Sequence, residues 1–341
     1  MLSRIAHSMF QLGQHIERAE NITRVLDVNY RMGFEVEYFS ELDVWLPMLA
    51  ITHSRELFES LYDDINEENV YDFLLLSDKN PDSVLSRLHA AREAARSMRE
   101  RISDEMWNHL NRAHLELANI HLNQVVSAGS YAFNQRIQTI CNTFHGLAAH
   151  TMVHGKAWKF LRLGTFLDRA LMSSRILEIK YHIVLPDPQE VGRPLDIHQW
   201  QALLRSVSAY EAYRRMYKAR IVPAQVVNLV LFNADFPRSV RYCMEQVSRH
   251  LQALAETHQG QSAVYSQAES FLDELRGGKT GESILRNGLQ QYLQATQQRC
   301  IDLRQQIADN YFELLVVMDE QGRELSISKQ MRQQQQQGIN G

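Results

Sequence analysis

An internal repeat constrains this chain more than any other feature of its sequence. When residues 12–30 are aligned with residues 163–181, at an offset of 151 positions, 7 of 19 residues are identical. Further along, residues 73–84 match residues 229–240, with Pro, Ser and Val at the same places in both segments. Self-similarity of this kind indicates a repeated supersecondary unit. The sequence therefore predicts two diverged copies of one module.

The composition indicates that the module is helical. The chain has 341 residues, of which 45% are hydrophobic and only 15 are Gly and 7 are Pro, too few turn residues for a protein with many strands. We expect an all-α fold in which both copies pack as one helical body. The predicted boundaries are 1–120 for the first repeat, 121–155 for a connecting helical segment, 156–325 for the second repeat with an insertion near 241–298, and 326–341 for a disordered Gln-rich tail.

Charge and hydropathy exclude several classes of protein. The net charge is −4 without a sustained basic run, so the electrostatic footprint of a nucleic-acid-binding protein is absent. The sequence shows neither a signal peptide nor an apolar stretch of about 18 residues, which predicts a cytoplasmic protein without a membrane span. Cys141, Cys243 and Cys300 lie far apart and form no metal-binding or disulfide pattern, so we interpret them as reduced thiols.

The first repeated helix carries an acid in an apolar setting. Glu17 lies opposite the main apolar face of the helix, but Phe10, Val25 and Val28 lie on its own side. Asp168, at the matching position of the second copy, is surrounded by apolar residues in the same way. A helix that is apolar on both sides is usually buried, so the pattern predicts two buried carboxylates.

Each acid is followed seven residues later by an arginine, Arg24 in the first copy and Arg175 in the second. Two helical turns separate acid and arginine by about 10.5 Å along the axis, too far for pairing within one helix. If the two helices pack antiparallel, Glu17 faces Arg175 and Asp168 faces Arg24. The spacing thus predicts two reciprocal buried ion pairs.

Two interpretations of these charged residues are compatible with the sequence. In the first, the ion pairs fix the register between the copies, since buried pairs are costly and need a reason to persist. In the second, they line a polar cavity in which the arginines bind a carboxylate or phosphate and the acids handle an amine or a proton. Under the second interpretation the catalytic candidates are Glu17 and Asp168, and the substrate-binding candidates are Arg18, Glu20, Arg24, Arg169 and Arg175.

These segments resemble the bacterial alpha-E family, a helical family with a characteristic Glu-Arg motif. The similarity spans nearly the whole chain and includes MLSRIAHSMFQLGQHIERAENITRVLDVNY at the start, NPDSVLSRLHAAREAARSMRERISDEMWNHLN in the first half, and KFLRLGTFLDRALMSSRILEIKYH with FNADFPRSVRYC in the second. The Glu-Arg motif corresponds to Glu17-Arg18, and to Asp168-Arg169 with Asp in place of Glu.

The resemblance implies a functional context. Members are typically encoded beside, or fused to, a circularly permuted ATP-grasp protein, and often near a transglutaminase-like protein. This implies a helical partner in a carboxylate–amine ligase system that holds the ligase or its peptide or amino-acyl substrate. The alternative is an enzyme that acts on such a substrate in a cavity lined by the acid–arginine helices, and whether the chain is itself an enzyme stays open.

Metal and cofactor motifs are weak. His150 and His154 have helical i, i+4 spacing, with His145 nearby, which is compatible with a metal site but also with local hydrogen bonding. No Glu has a His three residues later, which disfavours a di-iron carboxylate bundle. The segment Gly278-Lys279-Thr280 has Asp273 where a phosphate-binding loop requires its first Gly. We therefore predict no metal and no cofactor.

Overall fold

The computed structural model of the chain describes residues 3–35, 41–127, 130–181, 194–218, 220–256, 262–312, 314–318 and 324–328. The predicted all-α class is confirmed, because the body of the protein is built from helices. In chain order these are α1 (Ser3–Glu35), α2 (Glu41–Thr52), α3 (Arg55–Glu59), α4 (Glu67–Tyr71), α5 (Val84–Ser97), α6 (Asp104–Leu117), α7 (Leu122–Ser127), α8 (Ser130–Thr151), α9 (Lys156–Glu178), α10 (Pro194–Ser206), α11 (Tyr210–Tyr217), α12 (Pro223–Val227), α13 (Val240–Ala255), α14 (Ser262–Arg276), α15 (Gly281–Asn287) and α16 (Leu289–Tyr311).

Helices α1 and α9 form the centre of the fold and pack extensively against each other. Helices α5 and α8 pack on α1, and α6 lies against both of them. Helices α13 and α16 pack on α9, and α14 lies against both of these. Each central helix is therefore covered by its own set of helices, and the contact between α1 and α9 joins the two sets.

The buried apolar side chains form one cluster that includes residues from both halves of the chain. From Trp158 onward, α9 buries most of its residues on all sides, including Phe166, Leu167 and Met172, as expected for a helix that is apolar all round. The three cysteines are buried and form no disulfide. One continuous core agrees with the prediction that the chain packs as one helical body.

The matched segments 73–84 and 229–240 have the same local structure. Each contains a π-helical turn, Asp72–Leu76 in the first half and Asn228–Phe232 in the second, followed by a polar turn and a helix. Ser83 caps α5 by accepting a hydrogen bond from the Ser86 backbone N–H, and Ser239 caps α13 in the same way. Pro81 and Pro237 both lie in the turn before the helix, which begins three residues later in each segment.

Descent of the two halves from one module stays a prediction. The boundaries at 1–120, 121–155 and 156–325 and the insertion near 241–298 also stay predictions. The shared π-helical turns and caps support a common plan for the two segments that they belong to.

A two-stranded antiparallel hairpin follows α16. Strand β1 (Leu314–Met318) pairs with β2 (Glu324–Ser328), with Leu314 opposite Ser328 and Met318 opposite Glu324. The predicted start of the disordered tail, residue 326, is too early, because residues 326–328 belong to β2. The sequence of β2, ELSIS, alternates polar and apolar residues as strands do. The Gln-rich segment itself lies outside the described residues. None of the helices in the described ranges combines the length and the apolar character that a bilayer crossing requires.

Candidate functional site

The two central helices approach each other at a pair of glycines. A Cβ atom on Gly13 would lie 2.1 Å from the carbonyl oxygen of Leu161, and a Cβ atom on Gly164 would lie 2.0 Å from the carbonyl oxygen of Phe10. Both distances are far below any real contact, so the backbones touch where these residues lack side chains. The two contacts are equivalent, because Leu161 corresponds to Phe10, and Gly13 to Gly164, in the repeat.

One turn further along, the acids and arginines of the two Glu-Arg-like motifs pair across this interface. Arg169 donates to both carboxylate oxygens of Glu17, from Nε at 2.9 Å and from Nη2 at 2.5 Å. Arg18 donates to both oxygens of Asp168, from Nε at 3.2 and 3.1 Å and from Nη2 at 2.5 Å. Forked contacts of this kind are the strongest that an arginine makes with a carboxylate. The two acids form reciprocal ion pairs, as predicted, but with Arg169 and Arg18 and not with the predicted Arg175 and Arg24.

The predicted partners Arg24 and Arg175 are wrong because the helices do not pack antiparallel. Contacts near Gly13 and Gly164 come first on both helices, and the contacts of Glu17 and Asp168 come next on both, so α1 and α9 run in the same direction. In a parallel pair each residue meets its own counterpart. The arginines seven positions beyond the acids are therefore carried away from them.

The structure places Arg24 and Arg175 in different environments. Arg24 forms an ion pair with Glu20, one turn before it on α1, and donates to the Ser208 hydroxyl. Arg175 has no ion pair within the described ranges, and its Nε is buried without a hydrogen bond. Position 171, which corresponds to Glu20 in the repeat, is a leucine.

The structure adds Arg238, which sequence reasoning missed. It lies in the turn before α13 and donates from Nη1 to Glu17 Oε1 at 3.1 Å and to Asn21 Oδ1 at 2.8 Å, and from Nη2 to Glu20. A signal was present in the matched segments, where Arg238 corresponds to Asp82. The equivalent turns before α5 and α13 thus place opposite charges, Asp82 and Arg238, beside the two ion pairs.

Asp82 acts on the other ion pair. Its carboxylate lies 3.7 Å from Nη1 of Arg18 and also accepts a hydrogen bond of 2.8 Å from Nε of Arg87. Arg87 in turn donates to Nδ1 of His15 at 3.0 Å. The pair of Glu17 with Arg169 therefore gains an extra cation, and the pair of Arg18 with Asp168 gains an extra acid.

Burial and these charges set the ionisation of the site. Burial by itself would raise the pKa of Glu17, but the positive charges of Arg169 and Arg238 hold that pKa well below its ordinary value. The carboxylates of Glu17 and Asp168 also raise the pKa values of Arg169 and Arg18, respectively, against the opposing effect of burial. Glu17, Arg18 and Arg169 are therefore charged at neutral pH. The predicted burial of Glu17 and Asp168, 0% and 2% exposed, is confirmed.

His145 on α8 is a further neighbour of the first pair. Its Nε2 lies 3.6 Å from Glu17 Oε2 and 3.9 Å from Glu20 Oε2, and its side chain is 16% exposed. Neither His145 Nε2 nor Glu20 Oε2 has a hydrogen-bond partner among the described residues. Sequence analysis noted His145 only as a neighbour of other histidines.

Glu17, Glu20 and His145 have the spacing of metal ligands, since one ligand atom from each lies within 4.8 Å of the others. The surrounding charges oppose a cation, however. The guanidinium groups of Arg24, Arg169 and Arg238 already neutralise the two carboxylates and leave one positive charge in excess. This donor set therefore does not fit a divalent metal ion.

His150 and His154 are not drawn together into a metal site. His150 is exposed near the end of α8. The ring of His154 stacks on Trp158 with centroids 4.1 Å apart, and its Nε2 lies 3.1 Å from the Ala149 carbonyl oxygen. The histidine at 154 is thus engaged in local packing and hydrogen bonding, the other interpretation of this spacing.

Two clefts open elsewhere on the described surface, and neither is lined by Glu17 or Asp168. A cleft of 820 Å³ lies where the 3₁₀ turn Arg99–Arg101 meets the start of α9, with Arg101, Ser103, Thr151 and Lys156 in its wall. A second, of 640 Å³, lies along α5 and the end of α6, and its wall is more apolar than polar. The acid–arginine centre itself is a packed interface, because Glu17 and Asp168 are buried and the backbones of α1 and α9 touch beside them.

Comparison with known proteins places this interface in a family. The model of the Alpha-E family, described as a predicted alpha-helical domain with a conserved ER motif, matches residues 1–312. An uncharacterised protein of Mycobacterium bovis, Mb2597, is 24% identical over 291 residues, which cover 80% of this chain and 31% of that protein. An uncharacterised protein of Mycobacterium tuberculosis, Rv2567, matches with the same identity and coverage. The chain therefore spans about a third of the length of these relatives, and no solved structure matches it significantly.

Proposed function

The chain belongs to the Alpha-E family, and on this premise we propose that it is a non-catalytic helical partner in a carboxylate–amine ligase system. In this role it holds a circularly permuted ATP-grasp ligase, or the peptide or amino-acyl substrate of that ligase. A transglutaminase-like protein is a second partner in the proposal, and the cytoplasm is its proposed location. In this proposal the Glu-Arg motif, assigned to Glu17 and Arg18, has a structural role: it joins the two halves of this chain.

The observation that carries this proposal is that both buried acids, Glu17 and Asp168, are already paired with arginines of this chain. Asp168 accepts both donor groups of Arg18, and Glu17 is held by Arg169, Arg238 and Asn21. A general base must come within hydrogen-bond reach of the proton that it removes. Carboxylates that are buried and already paired are not offered to a substrate, so their role in the proposal is structural.

The length of the relatives supports the proposal that this region acts together with other protein domains. In Mb2597 and Rv2567 the matched region is 31% of the chain, so it is covalently joined to more than its own length of further sequence. Such a covalent link strengthens binding between a module and a neighbouring domain, because tethering raises the effective concentration of one near the other.

A second candidate function is an enzyme that acts on an amino-acyl or peptide substrate. The observation in its favour is the unpartnered pair formed by Glu20 Oε2 and His145 Nε2, which lie 3.9 Å apart. A buried polar atom without a hydrogen-bond partner needs an explanation, and a catalytic role is one such explanation. In this function Glu20 and His145 move a proton, and the arginines around them hold a carboxylate.

The experiment that tests the first proposal is co-expression of this chain with a tagged circularly permuted ATP-grasp protein from the same genome. We expect the two proteins to co-purify and ligation of an amine to a carboxylate substrate to depend on this chain. The proposal would be refuted if no complex formed and if ligation were unchanged when this chain was left out.

A double variant separates the partner from the enzyme. Replacing Arg18 by Met and Asp168 by Leu removes both charges of one pair, and matched apolar replacement of a buried pair is often neutral for stability. A partner should still support ligation with this double variant, provided that circular dichroism shows a folded protein. The variants Glu20→Gln and His145→Gln complete the comparison: if they stop turnover while the complex still forms, the enzyme is the correct function.

A further inference from the structure

Two histidines on neighbouring helices face each other at the surface. His89 lies on α5 and His114 on α6, and the centroids of their rings are 5.5 Å apart with 50° between the ring planes. Among the ring contacts of the described residues, this is the only one between two histidines. The two residues are far apart in the sequence and on different helices, so no spacing motif connects them.

Neither imidazole is used by the protein itself. Within the described ranges, neither ring forms a hydrogen bond or an ion pair, whereas Nε2 of His109, also on α6, lies 2.8 Å from the Ile140 carbonyl oxygen. Burial, and then the charge of Arg92, lowers the pKa of His114, so its ring is neutral at pH 7. A neutral imidazole with an unused nitrogen lone pair is the form that binds a metal ion.

Both rings line the cleft of 640 Å³ along α5 and the end of α6. The charged residues in the wall of this cleft are Asp78, which is exposed, and Arg87, which is paired with Asp82. Arg92, whose charge reaches His114, is paired with Glu93. The cations near the two histidines are thus neutralised by acids, unlike the acid–arginine centre, where an excess positive charge opposes a metal ion.

We propose that His89 and His114 together bind one divalent transition-metal ion, Zn²⁺ or an ion of similar ligand preference, which links α5 to α6. Imidazole nitrogen suits Zn²⁺, Ni²⁺ and Cu²⁺, whereas Mg²⁺ and Ca²⁺ prefer oxygen. Two imidazoles that bind one tetrahedral ion through nitrogens at about 2.0–2.1 Å have ring centres about 5 Å apart. The observed separation of 5.5 Å is close to this value. Water from the cleft completes the coordination, and the site does not depend on the ligase proposal.

The test is isothermal titration of the full, chelator-treated chain with zinc chloride at pH 7, with excess Mg²⁺ present to fill oxygen sites. We expect saturable binding of one Zn²⁺. His89→Gln and His114→Gln should each weaken this binding roughly tenfold or more, since even the loss of a group behind a metal ligand costs about 10–100-fold. His150→Gln is the matched control: it removes a histidine of the other pair with helical spacing and should bind Zn²⁺ as the unaltered protein does.

Electron paramagnetic resonance of bound Cu²⁺ gives a second and independent readout. Its nitrogen couplings should report two imidazoles in the unaltered protein and one in each single variant. His89 is exposed and His114 is half-buried, so both variants should stay folded, which circular dichroism checks. The proposal would be overturned by no saturable binding of Zn²⁺, by unchanged affinity in either single variant, or by a loss of binding in His150→Gln alone.

Discussion

Glu17 and Asp168 occupy corresponding positions, but their surroundings differ in detail. Glu17 reaches Arg169 and is also bound by Arg238 and by the amide of Asn21. Asp168, whose side chain is one methylene shorter, accepts hydrogen bonds only from Arg18 among the residues that the structure describes. Removal of the Glu17 charge therefore leaves Arg169 without its carboxylate acceptor and takes from Arg238 one of its two acids, the other being Glu20.

The variant Glu17→Gln should lower the free energy of unfolding by roughly 3–5 kcal/mol, because it leaves buried cations uncompensated. Urea denaturation followed by circular dichroism measures this loss. The control is Glu59→Gln, which removes the acid of an exposed pair with Arg55 on α3, and it should change stability by less than about 1 kcal/mol. If both variants are equally stable, the buried pair does not hold the halves together.

The sequence predicted part of this centre at the level of single residues. The apolar residues around Glu17 and Asp168 predicted their burial, because helical periodicity reports which faces are covered. The partners could not be derived in this way, since they depend on the direction in which two distant helices meet. Arg238 and His145 come from a turn and from another helix, and nothing in the spacing of the acid–arginine helix points to either of them.

The close approach of α1 and α9 depends on two glycines. Gly13 and Gly164 remove the side chains that would hold the backbones apart, and each faces a carbonyl oxygen of the other helix. This contact brings the Glu-Arg-like motifs, one turn further on, within hydrogen-bond distance of each other. A small residue at these two positions is thus a condition for the ion pairs.

Gly13→Ala and Gly164→Ala should each destabilise the protein by about 3 kcal/mol or more, because the added methyl group meets backbone that cannot move aside. Gly146→Ala is the matched control: this glycine is in the middle of α8, and an added Cβ meets no atom within 4 Å. Because alanine favours helix over glycine, the control should gain about 0.5–1 kcal/mol. Thermal unfolding of the three variants measures both signs, and equal effects would contradict the close approach.

At the level of elements, the repeat predicted some features and misled on others. It matched 73–84 with 229–240, and both segments have the same turn and serine cap. Residues 99–104 and 304–309 also share Arg, Ile and Asp at the same places, although the first segment contains a 3₁₀ turn and the second is the interior of α16. Short matches of charged residues without apolar periodicity carry little information about structure. The π-helical turns have no sequence signal that we could use.

The whole molecule depends on buried groups whose ionisation changes in acid. Burial, and then repulsion by Arg87, lowers the pKa of His15 to about 4, and burial, and then repulsion by Arg162, lowers the pKa of His250 to about 4. The unfolded chain has both histidines near 6.5. Between these values the unfolded state binds more protons than the folded state, so stability must fall as the pH is lowered through this window.

We predict that the free energy of unfolding is nearly constant between pH 7 and 8 and falls between pH 6.5 and 4, by up to about 1.4 kcal/mol per pH unit for each of the two histidines. Below pH 4 a further loss follows, because Glu17 has a pKa well below its ordinary value and its ion pairs break only when it is protonated. Urea denaturation at pH 7, 6, 5 and 4 measures the slope. The double variant His15→Gln, His250→Gln should flatten it, whereas His150→Gln, at an exposed position on α8, should leave it unchanged. A slope that persists in the double variant would assign the acid sensitivity to other groups.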